Sequence, residues 1–317
     1  MSSRLLHSNE ALLLFLLVIL MIVLSMVNVN FLTVGNLLQV TIQMVELSII
    51  TFGMVAVIIT GGIDLSIGSI TGLTSIVIGN ALVNGINMWV AILLGLILAI
   101  LCGLLNGVLV GKFNIPAILV TLGTSTLFGG VAVILCKGRA VSGFPDEYFI
   151  FGQGYFGPIP LQVVILLALF TIVYVMLNHT KWGRRIYLIG SNPTAARFSG
   201  IDCEKNLILT YLFSSLMGFV TAVILTSRVA TARADLGDQY VLQSVSAAVF
   251  GGISIYGGEG NIGGSLIGVA IFTIISNGLN LMGVSPFIQQ IVAGIVLLGV
   301  LTIRILSTRV GLHEQRR

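Results

Sequence analysis

Apolar residues run along this chain in long stretches divided by short polar interruptions. Read as helices, Ala11 to Val27 and Val163 to Met176 are apolar on every face. A surface helix of a soluble domain keeps a polar side, whereas a helix that crosses a bilayer needs about 20 mostly apolar residues. The pattern predicts about ten such spans, at 11–27, 36–60, 66–84, 88–110, 116–136, 161–178, 207–226, 241–256, 263–282 and 287–306. Strands of a membrane barrel would alternate in polarity, and these stretches do not. The expected fold is all-α, a polytopic transmembrane helical bundle, with residues 1–317 forming a single membrane domain.

Composition closes off the soluble classes. Hydrophobic residues make up 56% of the chain and charged residues only 8%, which leaves no material for a solvated surface. The net charge of +4 resides in loops beside the spans, so it speaks for orientation and not for a nucleic-acid partner. With the N-terminus inside, Arg4, Lys112, Lys181, Arg184, Arg185, Arg197, Lys205, Arg304, Arg309, Arg316 and Arg317 fall in the cytoplasm. Only Lys137, Arg139, Arg228 and Arg233 fall outside, and this asymmetry is the one that the positive-inside rule describes. Both termini are therefore expected in the cytoplasm. Arg4 and His7 resemble a signal-peptide start, but no small-x-small cleavage site follows at Met26 to Asn30, so the first span is expected to stay as an anchor. Cys102, Cys136 and Cys203 lie far apart and read as packing thiols.

Gly95, Ala99, Gly103, Gly107 and Gly111 recur every four residues, and Gly260, Gly264 and Gly268 do the same. Such small-residue seams let membrane helices approach closely. Two glycine-bearing segments, 57–68 and 248–258, echo each other, and each is followed by an Asn-Gly pair, at Asn106 and Asn277. An internal repeat of this kind builds many transporters around a central route.

The chain carries no phosphate-binding loop: its Gly111-Lys112 pair is followed by Phe113 and lacks the upstream glycine spacing. HExxH, GxSxG and carboxylate–histidine clusters are absent too. No enzyme and no cofactor bound by this chain are expected. What remains is polar residues within apolar spans. Glu46 falls mid-span, where an ionisable group must be paired or face water. Gln39, Gln43 and Glu46 share a helical face, which suits a polar wall of a translocation route or a hydrogen-bonded seam. Asp64, with Ser66 beside it, follows Gly61-Gly62 and reads either as a helix N-cap or as part of a broken segment that lines a cavity. Asn106, Gln243, Asn277 and Asn280 add neutral donors and acceptors of the kind that bind hydroxyls. Charged clusters that would mark an ion site are missing.

The loop at 179–206 contains Asn192-Pro193, an N-cap followed by proline at N1, and Gly200 to close the short helix so begun. A short helix on a loop suits docking to a partner's groove.

Four segments together carry a resemblance: Gly61-Gly-Ile-Asp-Leu-Ser-Ile-Gly-Ser69, Asn114-Ile-Pro-Ala-Ile-Leu-Val-Thr-Leu-Gly-Thr124, Trp182-Gly-Arg-Arg-Ile-Tyr through Gly200, and Val249-Phe-Gly-Gly-Ile with Gly257-Gly. Over nearly its whole length the chain resembles the sugar-type permeases of bacterial ATP-binding-cassette importers, the family that includes ribose and autoinducer-2 permeases. The resemblance implies a type II importer permease fold in the inner membrane, in contact with lipid. It further implies a second permease chain, identical or paralogous, a cytoplasmic ATPase that binds the ATP and Mg, and a periplasmic sugar-binding protein. By the same resemblance the 179–206 segment is the coupling loop, with Arg184, Arg185, Gly190, Asn192, Pro193, Ala195, Ala196, Arg197 and Gly200 as contacts for the ATPase. Lys137, Arg139, Arg228 and Arg233 would dock the binding protein, unless Asp146, Glu147, Asp235 and Asp238 neutralise them locally. The implied mechanism is alternating access around a route for a monosaccharide. The competing reading is a stand-alone facilitator or ion-coupled secondary sugar carrier, and the docking loop and the scarcity of buried charge argue against it.

Overall fold

A computed structural model describes residues 9–285 without a break and, beyond them, 288, 289, 291, 292, 294, 295, 298, 299 and 302. The described residues begin with α1 (Asn9–Val27), and Thr33 then caps α2 (Val34–Ile59) by accepting from the Asn36 amide. After a glycine break come α3 (Ile67–Val83), α4 (Met88–Gly111) and α5 (Ala117–Cys136). Next is a short excursion of β1 (Val141–Ser142), α6 (Ile150–Gln153), and the paired β2 (Tyr155–Phe156) and β3 (Ile159–Pro160). From there α7 (Leu161–His179) crosses to α8 (Lys181–Ser191) and α9 (Pro193–Phe198). Asp202 caps α10 (Cys203–Val229) through the Lys205 amide. β4 (Thr231–Ala232) pairs antiparallel with β1, and α11 (Asp238–Phe250) and α12 (Ile262–Leu281) follow.

Six helices are long and apolar enough to cross a membrane: α2, α4, α5, α7, α10 and α12, with shorter apolar helices at Ala11–Val27 and Ile67–Val83. The expected count of about ten is thus not confirmed among the described residues: two of the expected spans are these shorter helices, and two others are not counted. The last expected span, 287–306, falls largely outside those residues. The eighth, 241–256, is a 13-residue helix that stops at Phe250, about 20 Å of rise against about 30 Å of hydrocarbon. A run of glycines at 251–260 breaks it, with Gly252, Gly257, Gly258 and Gly260 all at positive φ. Its start also lies within the bundle. The chain after β4 runs down the glycine face of α3, so closely that a Cβ at Gly72 would lie 2.0 Å from the Ala234 carbonyl oxygen.

α2 and α10 form the centre. From Val45 to Ile59 every residue of α2 is buried, while α4, α5 and α7 present Leu93, Ile97, Leu101, Leu119, Leu122 and Leu167 outward. Outward leucines and a buried centre are what a lipid solvent dictates. The glycine seam of α4 lets α10 approach: a Cβ at Gly103 would sit 2.1 Å from Ser215 Oγ. The second seam does the same between α12 and α11, where Gly268 lies against the Ala247 carbonyl. The two echoing segments meet in space, with the Gly258 amide donating to the Ile59 carbonyl at 2.8 Å.

Candidate functional site

Glu46 finds its partner 182 residues along the chain. Arg228, in the last turn of α10, donates from Nε to Glu46 Oε1 at 2.5 Å. Helical side chains lean toward the helix N-terminus, so Arg228 reaches a turn deeper than its own Cα. Glu46 is 0% exposed and Arg228 23%. The second carboxylate oxygen, Oε2, has no hydrogen-bond partner among the described residues.

Two polar cavities flank this pair. One, of about 440 Å³, is lined by Gln39, Gln153, Tyr155, Gln162 and Arg228 among others. The other, of about 270 Å³, is lined by Gln43, Arg228, Gln239, Gln243, Thr273 and Asn280 together with Tyr240 and Ser276. Gln39 and Gln43 are one helical turn apart on α2, and each faces a different cavity. Side-chain amides and hydroxyls in such number offer both donors and acceptors without net charge.

The other candidate route residues divide. Asp64, fully buried, accepts from the Ser66 amide at 3.0 Å and the Ser66 hydroxyl at 2.6 Å on one oxygen, and from the Ser214 hydroxyl at 2.7 Å on the other. Asn106 Nδ2 donates to Ser66 Oγ at 2.7 Å. This network clasps the start of α3 to α4 and α10, and Asp64, Ser66 and Asn106 line neither cavity. Asn277 exchanges two hydrogen bonds with Asn36, at 3.0 and 2.9 Å, which ties α12 to α2. Nothing local in the sequence distinguishes Asn36, Gln153, Gln162 and Gln239 from ordinary surface amides, or Thr273 from an ordinary helical hydroxyl.

At the other end of the bundle, Thr180 caps α8 by accepting from the Gly183 amide. Gly183, Ile186 and Ile189 are buried, while Arg184, Arg185 and Leu188 face outward. Gly190 is wedged so tightly that a Cβ there would lie 1.8 Å from the Ile59 carbonyl oxygen and 2.6 Å from the Gly258 amide. The Tyr187 hydroxyl donates to the Gly260 carbonyl at 2.8 Å. α8 therefore rests on the meeting point of the two glycine breaks. Asn192 caps α9 through the Ala195 amide at 3.0 Å, with Pro193 at its first position, Ala196 buried, and Gly200 at φ 77° beyond it. Arg197 reaches Asn114 at 3.0 Å, and Phe198 stands 90% exposed at the tip.

Of the four cations expected on the outer side, Arg228 is turned inward onto Glu46. Arg233 makes a two-pronged pair with Asp235, at 3.0 and 2.5 Å, the local neutralisation left open by the sequence. Hydrogen bonding from Arg233 holds the Asp235 carboxyl below its ordinary range. Lys137 ends α5 in a left-handed conformation, and with Arg139 it lies just ahead of β1, whose Val141 pairs with Ala232.

Comparison with known proteins places this arrangement. Residues 36–301 match the family described as branched-chain amino acid transport system / permease component. The chain is 40% identical over 282 residues to the ribose import permease protein RbsC of Bacillus subtilis, covering 88% of each. It is 36% identical over 286 residues to RbsC of Escherichia coli K12, covering 89% of each. It is also 33% identical over 266 residues to the autoinducer 2 import system permease protein LsrD of Escherichia coli O9:H4, covering 82% of this chain and 79% of the relative. No solved structure matches.

Proposed function

The chain belongs to the branched-chain amino acid transport system / permease component family, and we propose on that premise that it is the membrane-spanning subunit of a binding-protein-dependent importer. Its solute is a monosaccharide or a similar neutral polyol of the ribose or autoinducer-2 kind. The observation that carries the solute class is the pair of amide-lined cavities to which Gln39 and Gln43 of α2 each contribute and which both include Arg228. Amides and hydroxyls match sugar hydroxyls in kind, and the partly buried cation is already neutralised by Glu46.

The chain performs no covalent chemistry in this reading. ATP and Mg are bound by a separate cytoplasmic ATPase, two permease chains form the route, and a periplasmic protein delivers the solute. Ten membrane segments are retained when α11 counts as a broken one and 287–306 as the tenth, which returns both termini to the cytoplasm of a bacterial inner-membrane protein. α8 and α9 dock on the ATPase through Arg184, Arg185 and the exposed ring of Phe198. Movement of α8 then passes to the two glycine breaks on which Gly190 and Tyr187 rest. Lys137 and Arg139 remain as contacts for the binding protein, and Arg233 joins them by exchanging Asp235 for a partner carboxylate.

Isolation of the tagged chain in mild detergent, followed by reconstitution with D-ribose, tests the reading. Co-purification of an ATPase and ATP-dependent uptake are the expected results. Uptake by the chain alone without ATP would sink the reading and make the chain a facilitator. Arg184→Glu with Arg185→Glu should abolish ATPase docking, at least a tenfold loss of affinity, with membrane insertion unchanged. Unaltered coupled transport in that variant would remove the docking assignment.

A further inference from the structure

Arg228 lines both polar cavities. It shares one with Gln39 and Gln162 and the other with Gln43 and Gln243. We infer that Arg228 is the residue that a solute meets in passing from one cavity to the other, and that its guanidinium hydrogen-bonds the hydroxyls of a neutral polyol while Glu46 holds it in place. This rests on the importer reading and adds to it the atoms that the solute touches.

Three features of the geometry point this way. First, an arginine presents five N–H donors in a fixed fork, and its bond to Glu46 is made by Nε. The terminal amino groups are thus directed to the cavity side, where one hydrogen-bonds with Tyr240 and the glutamines stand nearby. Second, the exposure of the pair is one-sided. Glu46 is sealed, whereas Arg228 is 23% exposed and lines both cavities. An ion pair whose whole purpose was to join α2 to α10 would have no need of that exposure. Third, the pair is neutral as a unit. It polarises a hydroxyl through charge-assisted hydrogen bonds, about twice as strong as neutral ones, without drawing ions into the route. Gln39 and Gln43, one turn apart on α2 with the guanidinium between their cavities, provide the hand-over on either side.

The decisive experiment uses the full chain assembled with its ATPase and solute-binding protein in liposomes, with radiolabelled D-ribose as probe. Arg228→Met is combined with Glu46→Gln, so that no charge is stranded, and the reversed pair, Glu46→Arg with Arg228→Glu, is measured beside it. Ribose moved per ATP hydrolysed is expected to fall at least tenfold in both, while hydrolysis stimulated by the binding protein stays within twofold. A pair that merely joins two helices would tolerate either change, so a wild-type ratio in a folded variant overturns the inference. A second readout is independent of transport. Cys102, Cys136 and Cys203 are buried, so Gln243→Cys introduces a single cavity thiol. Saturating ribose should slow its alkylation at least threefold with Arg228 present and not in the neutral combination, whereas equal protection in both overturns the inference. If the wild-type assembly hydrolyses ATP but moves no ribose, and ribose gives the Gln243→Cys thiol no protection with Arg228 in place, the importer reading fails and takes the inference with it; wild-type ribose transport with equal thiol protection in both backgrounds overturns the inference alone.

Discussion

Among the described residues two carboxylates are buried, Glu46 and Asp64, both 0% exposed, and they are treated in opposite ways. Asp64 is met by two serine hydroxyls and a backbone amide, with both oxygens occupied and Asn106 backing the shell. Glu46 is met by a cation on one oxygen, has no hydrogen-bond partner on the other among the described residues, and lies beside two cavities through that cation. Neutral donors packed around a carboxylate need no access to water, so they suit a clasp between helices. An arginine on a carboxylate cancels charge in lipid, and its broad fork still has donors to give. Burial alone, then, does not mark a residue of the route. What separates the two acids is whether the partner opens onto a cavity.

The sharpest way to break this contrast is to strand Glu46. Arg228→Met leaves a buried carboxylate uncompensated, an expected loss of about 3–5 kcal/mol. It should be read as a lower melting temperature in detergent and a smaller yield of monodisperse protein. Adding Glu46→Gln should recover most of that stability without recovering transport. Were the single and double variants equally stable, Glu46 would not be a charged partner of Arg228 and the contrast with Asp64 would collapse.

A smaller effect is expected on the other side. Ser214→Ala removes one donor from Asp64, a loss of about 2 kcal/mol for a hydrogen bond to a charged group. The surviving protein should move as much ribose per ATP as wild type. A lower ratio at unchanged stability would bring Asp64 into the route and erase the distinction drawn here.

The sequence makes this architecture legible unevenly. Local signals were sufficient for the ends of α2, where the expected 36–60 is Val34–Ile59, and for α9, where Asn192 and Pro193 cap and start the helix as their chemistry demands. A membrane span is a matter of length and apolarity, which are properties of the stretch itself. α11 failed that logic, because its apolar run continues into Ile253 and Ile255 while the glycines at 251 and 252 stop the helix. α8 was also missed, although Thr180 and the spacing of Gly183, Ile186 and Ile189 announce it. The site was less legible than the fold. Glu46 declared by its position that something must satisfy it, but its partner lies 182 residues away, and only the packing of α10 on α2 brings the two together. Arg228 read as an outer cation because its reach back along the helix has no signature in composition.

The finest test of the contrast lies in a single hydroxyl. Tyr211 is buried on α10 near Gly62, and its oxygen has no hydrogen-bond partner among the described residues. If the Asp64 region is a dry clasp, that hydroxyl contributes nothing, and Tyr211→Phe should change stability by less than about 0.5 kcal/mol. It should leave transport per ATP unaltered. Removing an unpaired buried hydroxyl is near neutral or favourable, so a small rise in melting temperature agrees with the same picture. A fall of several degrees would mean that the hydroxyl is satisfied through solvent. Asp64 would then face water as Arg228 does, and the two acids would differ in degree and not in kind.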